Sequence, residues 1–382
     1  MGPAETRRAR EERDTMPTAI SIKTEGSRTY LEGVQPLDWG TGENCEFASA
    51  LTRTLDCVGD DVPYHYVVGV TGVAFRFTMG PELWTPGFYG FEGVSPDVHD
   101  LIRRAFSAVG YDYHWYPQGD RAADLQRITD SIRRGVTVML KGCVVDASDW
   151  VVITGYEEPG DVLLGSSPYG GGDRFEGYDR IAEWHAPTRG YIILGAKCER
   201  PAAATIYTEA LRLAVDLVRA PQAADGYTGL RGYEVLASAL REEEFHDDTE
   251  RKEGTLWFRY LCLLCYHMML DDHRSAAPFL RDAAAALPAC GSELLRAADC
   301  YERSCGVRDQ LEAIMKGDFS LDAQKRLLDP EVRDEYARTI LQIRDSDAQA
   351  VSHIEQALSG TSVRLWDPRA NGRATEPRSP VG

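Results

Sequence analysis

Apolar positions change their spacing near residue 200. Upstream, helical and strand-like periods alternate among many Gly, Tyr and Trp residues; downstream, Ala, Leu, Arg and Glu recur at helical spacing. In the first part, Phe47, Ala48, Leu51 and Leu55 line one face of a helix running from Cys45 to Cys57. Ser95-Pro96-Asp97 reads as an N-cap, a first-turn proline and an acid, opening a helix that runs through Ala108 and stops at Gly110. A third amphipathic stretch spans Asp120 to Arg134 and stops at Gly135. β-type runs follow at 136–140, 150–154, 162–164 and 191–194, and Glu157-Glu158-Pro159-Gly160 joins the second and third as a hairpin.

In the second part, helices are expected at about 202–219, 229–245, 254–270, 274–287, 291–315 and 330–358. Pro221, Gly226, Gly254, Pro288 and Gly317 punctuate them. The pattern thus predicts an α+β domain with an antiparallel sheet over 30–198, then an all-helical domain over 201–358. Residues 1–29 read as a flexible N-terminal segment, and the polar, Pro/Gly-rich 359–382 as a disordered tail.

Composition narrows the function classes. The net charge of −18, spread along the chain, repels phosphate backbones and argues against nucleic acid as a partner. No apolar run reaches the roughly 18 residues that span a bilayer, which argues against a membrane partner. Nine cysteines scattered over 382 residues point to free thiols in a reducing, cytoplasmic compartment. Cys262 and Cys265 have metal-like spacing inside an apolar helical run, where core packing is the simpler reading. The acidic run 242–248 and the Asp271-Asp272-His273 turn read as solvated helix ends rather than a cation site. No metal and no cofactor is expected.

The informative arrangement is a cysteine at the start of a helix, followed downstream by the hairpin. Gly42-Glu43-Asn44-Cys45 places a thiol beside backbone N–H groups and the positive end of the helix dipole, both of which favour thiolate. A working nucleophile also needs a base within hydrogen-bond reach, itself oriented by a third group.

Gly42-Glu43-Asn44-Cys45 and the segment Val68-Gly69-Val70-Thr71-Gly72-Val73-Ala74-Phe75 resemble the N-terminal domain of the butirosin-biosynthesis H protein family. Trp150-Val151-Val152-Ile153-Thr154-Gly155-Tyr156, followed by Val162-Leu163-Leu164, is similar to the hairpin of bacteriocin-processing cysteine peptidases. Gly229-Leu230-Arg231-Gly232-Tyr233 and the stretch from Asp272 to Leu280 look like the helical domain that often follows. The resemblance covers roughly residues 30–350. It implies a papain-like fold and thiol-based acyl chemistry, with a peptide, an acyl group or an acyl-carrier protein as partner.

Carried over position by position, Cys45 takes the nucleophile's place. The relatives' histidine falls on Asp149, and their orienting aspartate on Ser167. Gln35 and Asn44 are the two candidates for the oxyanion donor. Moving a thiol proton to a carboxylate costs about 6 kcal/mol on reference values, against about 2.7 kcal/mol to an imidazole. An ionised Asp149 would also repel a thiolate. The ordinary Cys-His-Asp mechanism does not survive at these positions. His65, His114 and His185 could substitute, and His185, shortly before the last strand, is preferred. Gly80 to Gly93 is a long aromatic loop carrying Trp84 and readable as a binding wall or as sheet cover; Trp150 lies beside the site.

Two readings follow. One is an attenuated relative that binds a peptidic or acyl ligand. The other is a working cysteine acyltransferase or amide hydrolase whose base comes from elsewhere.

Overall fold

The computed structural model describes residues 19–37, 42–80, 83–84, 91–95, 97–144, 149–170, 173–220, 226–251, 254–315 and 320–359. The chain runs β1 (Ser21–Glu25), β2 (Arg28–Glu32), α1 (Glu46–Asp56), α2 (Tyr64–Val70), β3 (Thr78–Met79) and α3 (Val98–Val109). Next come β4 (Tyr111–Pro117), α4 (Arg121–Arg133), β5 (Val138–Lys141), β6 (Trp150–Glu157), β7 (Val162–Ser166), β8 (Arg174–Phe175), β9 (Tyr178–Ile181) and β10 (Gly190–Lys197). Helices α5 (Ala203–Arg219), α6 (Gly229–Glu242), α7 (Thr255–Asp272), α8 (Ala276–Ala286) and α9 (Gly291–Met315) follow, with β11 (Tyr227–Thr228) ahead of α6. The short α10 (Leu321–Lys325) and long α11 (Pro330–Ser359) complete an α+β chain with a helical C-terminal region.

Two compact units emerge. Among the described residues, one takes those up to Pro63 together with Tyr111–Cys198; the other takes Tyr64–Gly110 together with those from Glu199 to Ser359. The chain passes between the units at 63/64, 110/111 and 198/199, so that 64–110 is an excursion into the second.

In the first unit every strand pairing is antiparallel, in the order β4-β10-β5-β6-β7-β9-β8. Strand β6 organises the sheet. One of its edges pairs with β7; the other pairs with β5 over its first half and with β2 over Gly155–Glu157. The expected β6–β7 hairpin forms as read. Residues 21–32 do not behave as a loose terminal segment through residue 29, because β1 and β2 form an antiparallel pair docked on β6. Charge placement fixes that dock: Glu157 on β6 accepts from Arg28 of β2 at 2.9 Å and from Arg180 of β9 at 2.8 Å.

Helix α4 forms where its cap and stop signals place it. Asp120 accepts from Ala123 N at 3.0 Å, and Gly135 takes the left-handed backbone at φ 82°. Helix α3 starts later than its Ser-Pro-Asp signal suggests. Asp97, not Ser95, is the N-cap and accepts from His99 N at 2.9 Å, while Ser95 accepts from Asp97 N at 3.2 Å.

The second unit buries an apolar core drawn from β3, α6, α7, α9 and α11, including Phe77, Tyr233, Tyr260, Leu263, Tyr336 and Ile340. The excursion 64–110 is tied into it at several points. Strand β3 pairs with β11, and Phe77 stacks on Tyr233 with centroids 3.9 Å apart. Arg76, buried on every side, pairs with the equally buried Asp272 at 3.3 Å, and Tyr64 donates to the same carboxylate at 2.9 Å. Gly69 lets the chain pass against the Phe279 ring, where a Cβ would stand 2.1 Å from it. Among the described residues, no helix is long and apolar enough to cross a membrane.

Candidate functional site around Cys45

Cys45 is the N-cap of α1, with extended backbone (φ −82°, ψ 99°), and its side chain does not cap the helix. It is 3% exposed. Arg53, two turns into α1, reaches back to Glu43 at 2.7 Å, and Ser49 Oγ donates to the Glu43 carbonyl at 3.2 Å. These bonds hold the approach 43–45 against the helix it opens.

The first turn of α1 sits on the start of β6. Trp150 N donates to Glu46 Oε2 at 2.7 Å, and the Phe47 ring meets the Trp150 indole edge-on at 5.1 Å. Cys45 and Asp149 are therefore the residues just before the two that make this bond. Asp149 is 2% exposed and closes its own loop: its carbonyl accepts from Gly142 N at 2.8 Å and its Oδ2 from Val144 N at 3.1 Å. Cys143 lies inside that loop, its thiol held well above the usual range by burial and then by the Asp149 charge.

Ser167 follows β7 at the same end of the hairpin, since its neighbour Ser166 pairs with Val152. It is buried and accepts from Tyr169 N at 3.2 Å, so its hydroxyl shapes a turn. Ser166 Oγ receives Leu37 N at 2.8 Å, which anchors the irregular segment after β2. Gln35 is exposed and Asn44 half-buried. The structure thus gathers Cys45, Asn44, Asp149, Trp150 and Ser167 at one end of the sheet.

It does not bring the preferred histidine there. Lys141 and Trp150 are cross-strand partners and share a face, with Lys141 Nζ 5.1 Å from the indole. Gly190 pairs with Lys141, so the next residue, Tyr191, points to the other face, where it donates to Asp124 of α4 at 2.8 Å. His185 shares that carboxylate at 3.2 Å, and Gly119 N and Arg127 complete its bonds at 2.9 and 3.1 Å. Helix α1 and His185 consequently occupy opposite faces of the sheet. His114 alternates with Tyr116, which stacks on Tyr191 at 5.3 Å, so it too belongs to the α4 face. These two are the only histidines of the first unit. His65 belongs to the second unit, paired with Asp282 at 2.9 Å.

Sequence reading missed Glu46, Lys141 and Trp115 as neighbours of the site. Trp115 lies 6.3 Å from Trp150 by centroids, and the Trp150 Nε1–H is buried without a hydrogen-bond acceptor among the described residues. An acid in the first turn of α1 was a visible signal for Glu46; nothing local marked the other two.

Trp84 is engaged within the second unit, donating to Glu243 at 2.8 Å and lying under Arg259 at 5.3 Å. Phe88 and Tyr89, and the middle of Tyr169–Asp173, lie outside the described residues. The acids of 242–248 serve as caps and ion pairs: Asp248 accepts from Thr255 N at 2.6 Å, and Asp247 pairs with Lys325 at 3.3 Å. Cys262 and Cys265 are buried in α7, and burial pushes both thiols up to about 12. Among the described residues, no group of three or more His, Cys, Asp or Glu could hold a metal ion.

No protein-family model matches this chain, and no curated protein matches it.

Proposed function

We propose that the first unit is a papain-like domain whose cysteine site has lost its acid–base machinery and binds a peptidic or acyl ligand without turning it over. The observation that carries this reading is the facing of the imidazoles. Both histidines of the unit lie across the sheet from α1, and one is spent on Asp124. The position beside the Trp150–Glu46 bond is filled instead by the buried carboxylate of Asp149. Such a neighbour opposes ionisation of a thiol and is too weak a base to take its proton at neutral pH. What the site retains is recognition: a helix N-terminus and the unmatched indole N–H of Trp150 both suit a carbonyl oxygen.

The competing reading, an active cysteine acyltransferase or amide hydrolase, is favoured by the thiol's place at the N-cap of an 11-residue helix. The pH-dependence of Cys45 alkylation by iodoacetamide, followed by peptide mass spectrometry with Cys45→Ala as control, separates the two. A half-point above about 8.5, or labelling only on unfolding, is expected. A half-point well below about 8 would replace the binding reading with the enzymatic one.

A further inference from the structure

The second unit carries a line of buried polar side chains that the reading above does not use. His273 Nε2 lies 2.8 Å from the Arg76 carbonyl, so that nitrogen carries a proton and donates it. The ring's other nitrogen, Nδ1, faces Asp347 Oδ2 at 3.6 Å, too far for a direct bond. Tyr233 donates to that same oxygen at 2.6 Å. Edge-on to His273, with centroids 5.7 Å apart, stands Tyr301 of α9. Burial, and after it the Asp347 charge, hold the Tyr301 hydroxyl well above the ordinary tyrosine value, so it remains O–H.

Three atoms of this group have no hydrogen-bond partner among the described residues: His273 Nδ1, Asp347 Oδ1 and Tyr301 Oη. Their residues are 2%, 1% and 0% exposed, so bulk water does not serve them. A polar atom sealed away in this manner is costly, and here a carboxylate oxygen, a ring nitrogen and a hydroxyl of one buried group share that condition. Arg76, whose carbonyl takes the His273 proton, directs its own guanidinium at Asp272. The open valences are mainly acceptors, set around a hydroxyl that can both give and take.

We propose that His273, Asp347 and Tyr301 form an internal binding site for one molecule with a single heavy atom and O–H or N–H donors, water or ammonium. It donates to Asp347 Oδ1 and bridges to Tyr301 Oη and His273 Nδ1. Such a guest joins the turn after α7 to α9 and α11, three elements distant in sequence.

The test is Tyr301→Phe in the full chain, a change that keeps the ring and removes only the hydroxyl. If the hydroxyl bonds the guest, the melting temperature falls by about 2–4 °C. An unbonded hydroxyl gives the opposite result: removing it leaves the melting temperature unchanged or raises it, and the proposal is overturned. Asp347→Asn combined with Tyr301→Phe adds a second criterion, since two groups on one guest lose less together than the sum of their separate losses. Fully additive losses would also overturn it. Ammonium chloride, compared with tetramethylammonium chloride, identifies the guest. A melting temperature raised by ammonium in the unmodified protein and not in Tyr301→Phe assigns ammonium. A loss on substitution with no ammonium effect assigns water.

Discussion

Trp150 N donates to the Glu46 carboxylate at 2.7 Å, and this bond seats the first turn of α1 on the first residue of β6. A carboxylate in the first turn already favours the helix through its dipole; here it also supplies an acceptor for the amide that opens β6, ahead of the β7 pairing that begins at Val152. Glu46→Ala is expected to cost about 1.5–3 kcal/mol, the range for a hydrogen bond to a charged group. Chemical denaturation compared with Glu46→Gln, which keeps an acceptor oxygen, checks this; equal losses in the two variants would remove the charge from the account.

His185 is predicted to be irrelevant to the reactivity of Cys45. Its ring bonds Asp124 on the α4 side of the sheet, opposite α1. His185→Asn should leave the alkylation profile of Cys45 unchanged while lowering stability by about 1 kcal/mol, since Asp124 keeps its other donors. A profile displaced by this substitution would mean that the imidazole acts on the thiol after all.

The Arg76–Asp272 pair is sealed, with both side chains 1% exposed. Asp272→Ala strands a buried guanidinium and is expected to destabilise the second unit by about 3–5 kcal/mol. Removing both charges, as in Arg76→Met with Asp272→Leu, should cost less than the single change. Urea unfolding of the three proteins decides it, and a double variant weaker than Asp272→Ala would contradict the argument.

Glu157 gives a pH prediction with a definite sign. The Arg180 guanidinium first, and Arg28 with it, hold its carboxyl below the usual glutamate range against the opposing effect of burial. The folded state therefore binds this proton more weakly than the unfolded chain does. The contribution is complete above the ordinary glutamate value, near 4.3, and is lost as pH falls through the depressed folded value. Urea midpoints between about pH 3 and 6 should decline less steeply for Glu157→Gln than for the unmodified chain, and parallel curves would show that the clamp on β2 and β9 does not contribute.

Local signals were enough for much of the fold. Asp120 and Gly135 bracket α4 as their chemistry requires, and the Glu157–Gly160 turn makes the β6–β7 hairpin. The helices α5 to α9 and α11 could be read from apolar helical runs that end at Gly, Pro or a polar turn, whereas the five-residue α10 was not foreseen. The strand pair at 21–32 was missed because its first strand is exposed along its whole length, so no alternation marks it.

By itself, the sequence determined the two classes of architecture and the placement of Cys45 at a helix start. Those are properties of neighbours in the chain: periodicity, caps and side-chain identity. Tertiary structure alone decided that 64–110 joins the helical unit, through the β3–β11 pairing and the Arg76–Asp272 contact, whose partners are 196 residues apart. It also decided that His185 and α1 occupy opposite faces of one sheet. A residue's face depends on strand register, and register is set by partners that no local window contains.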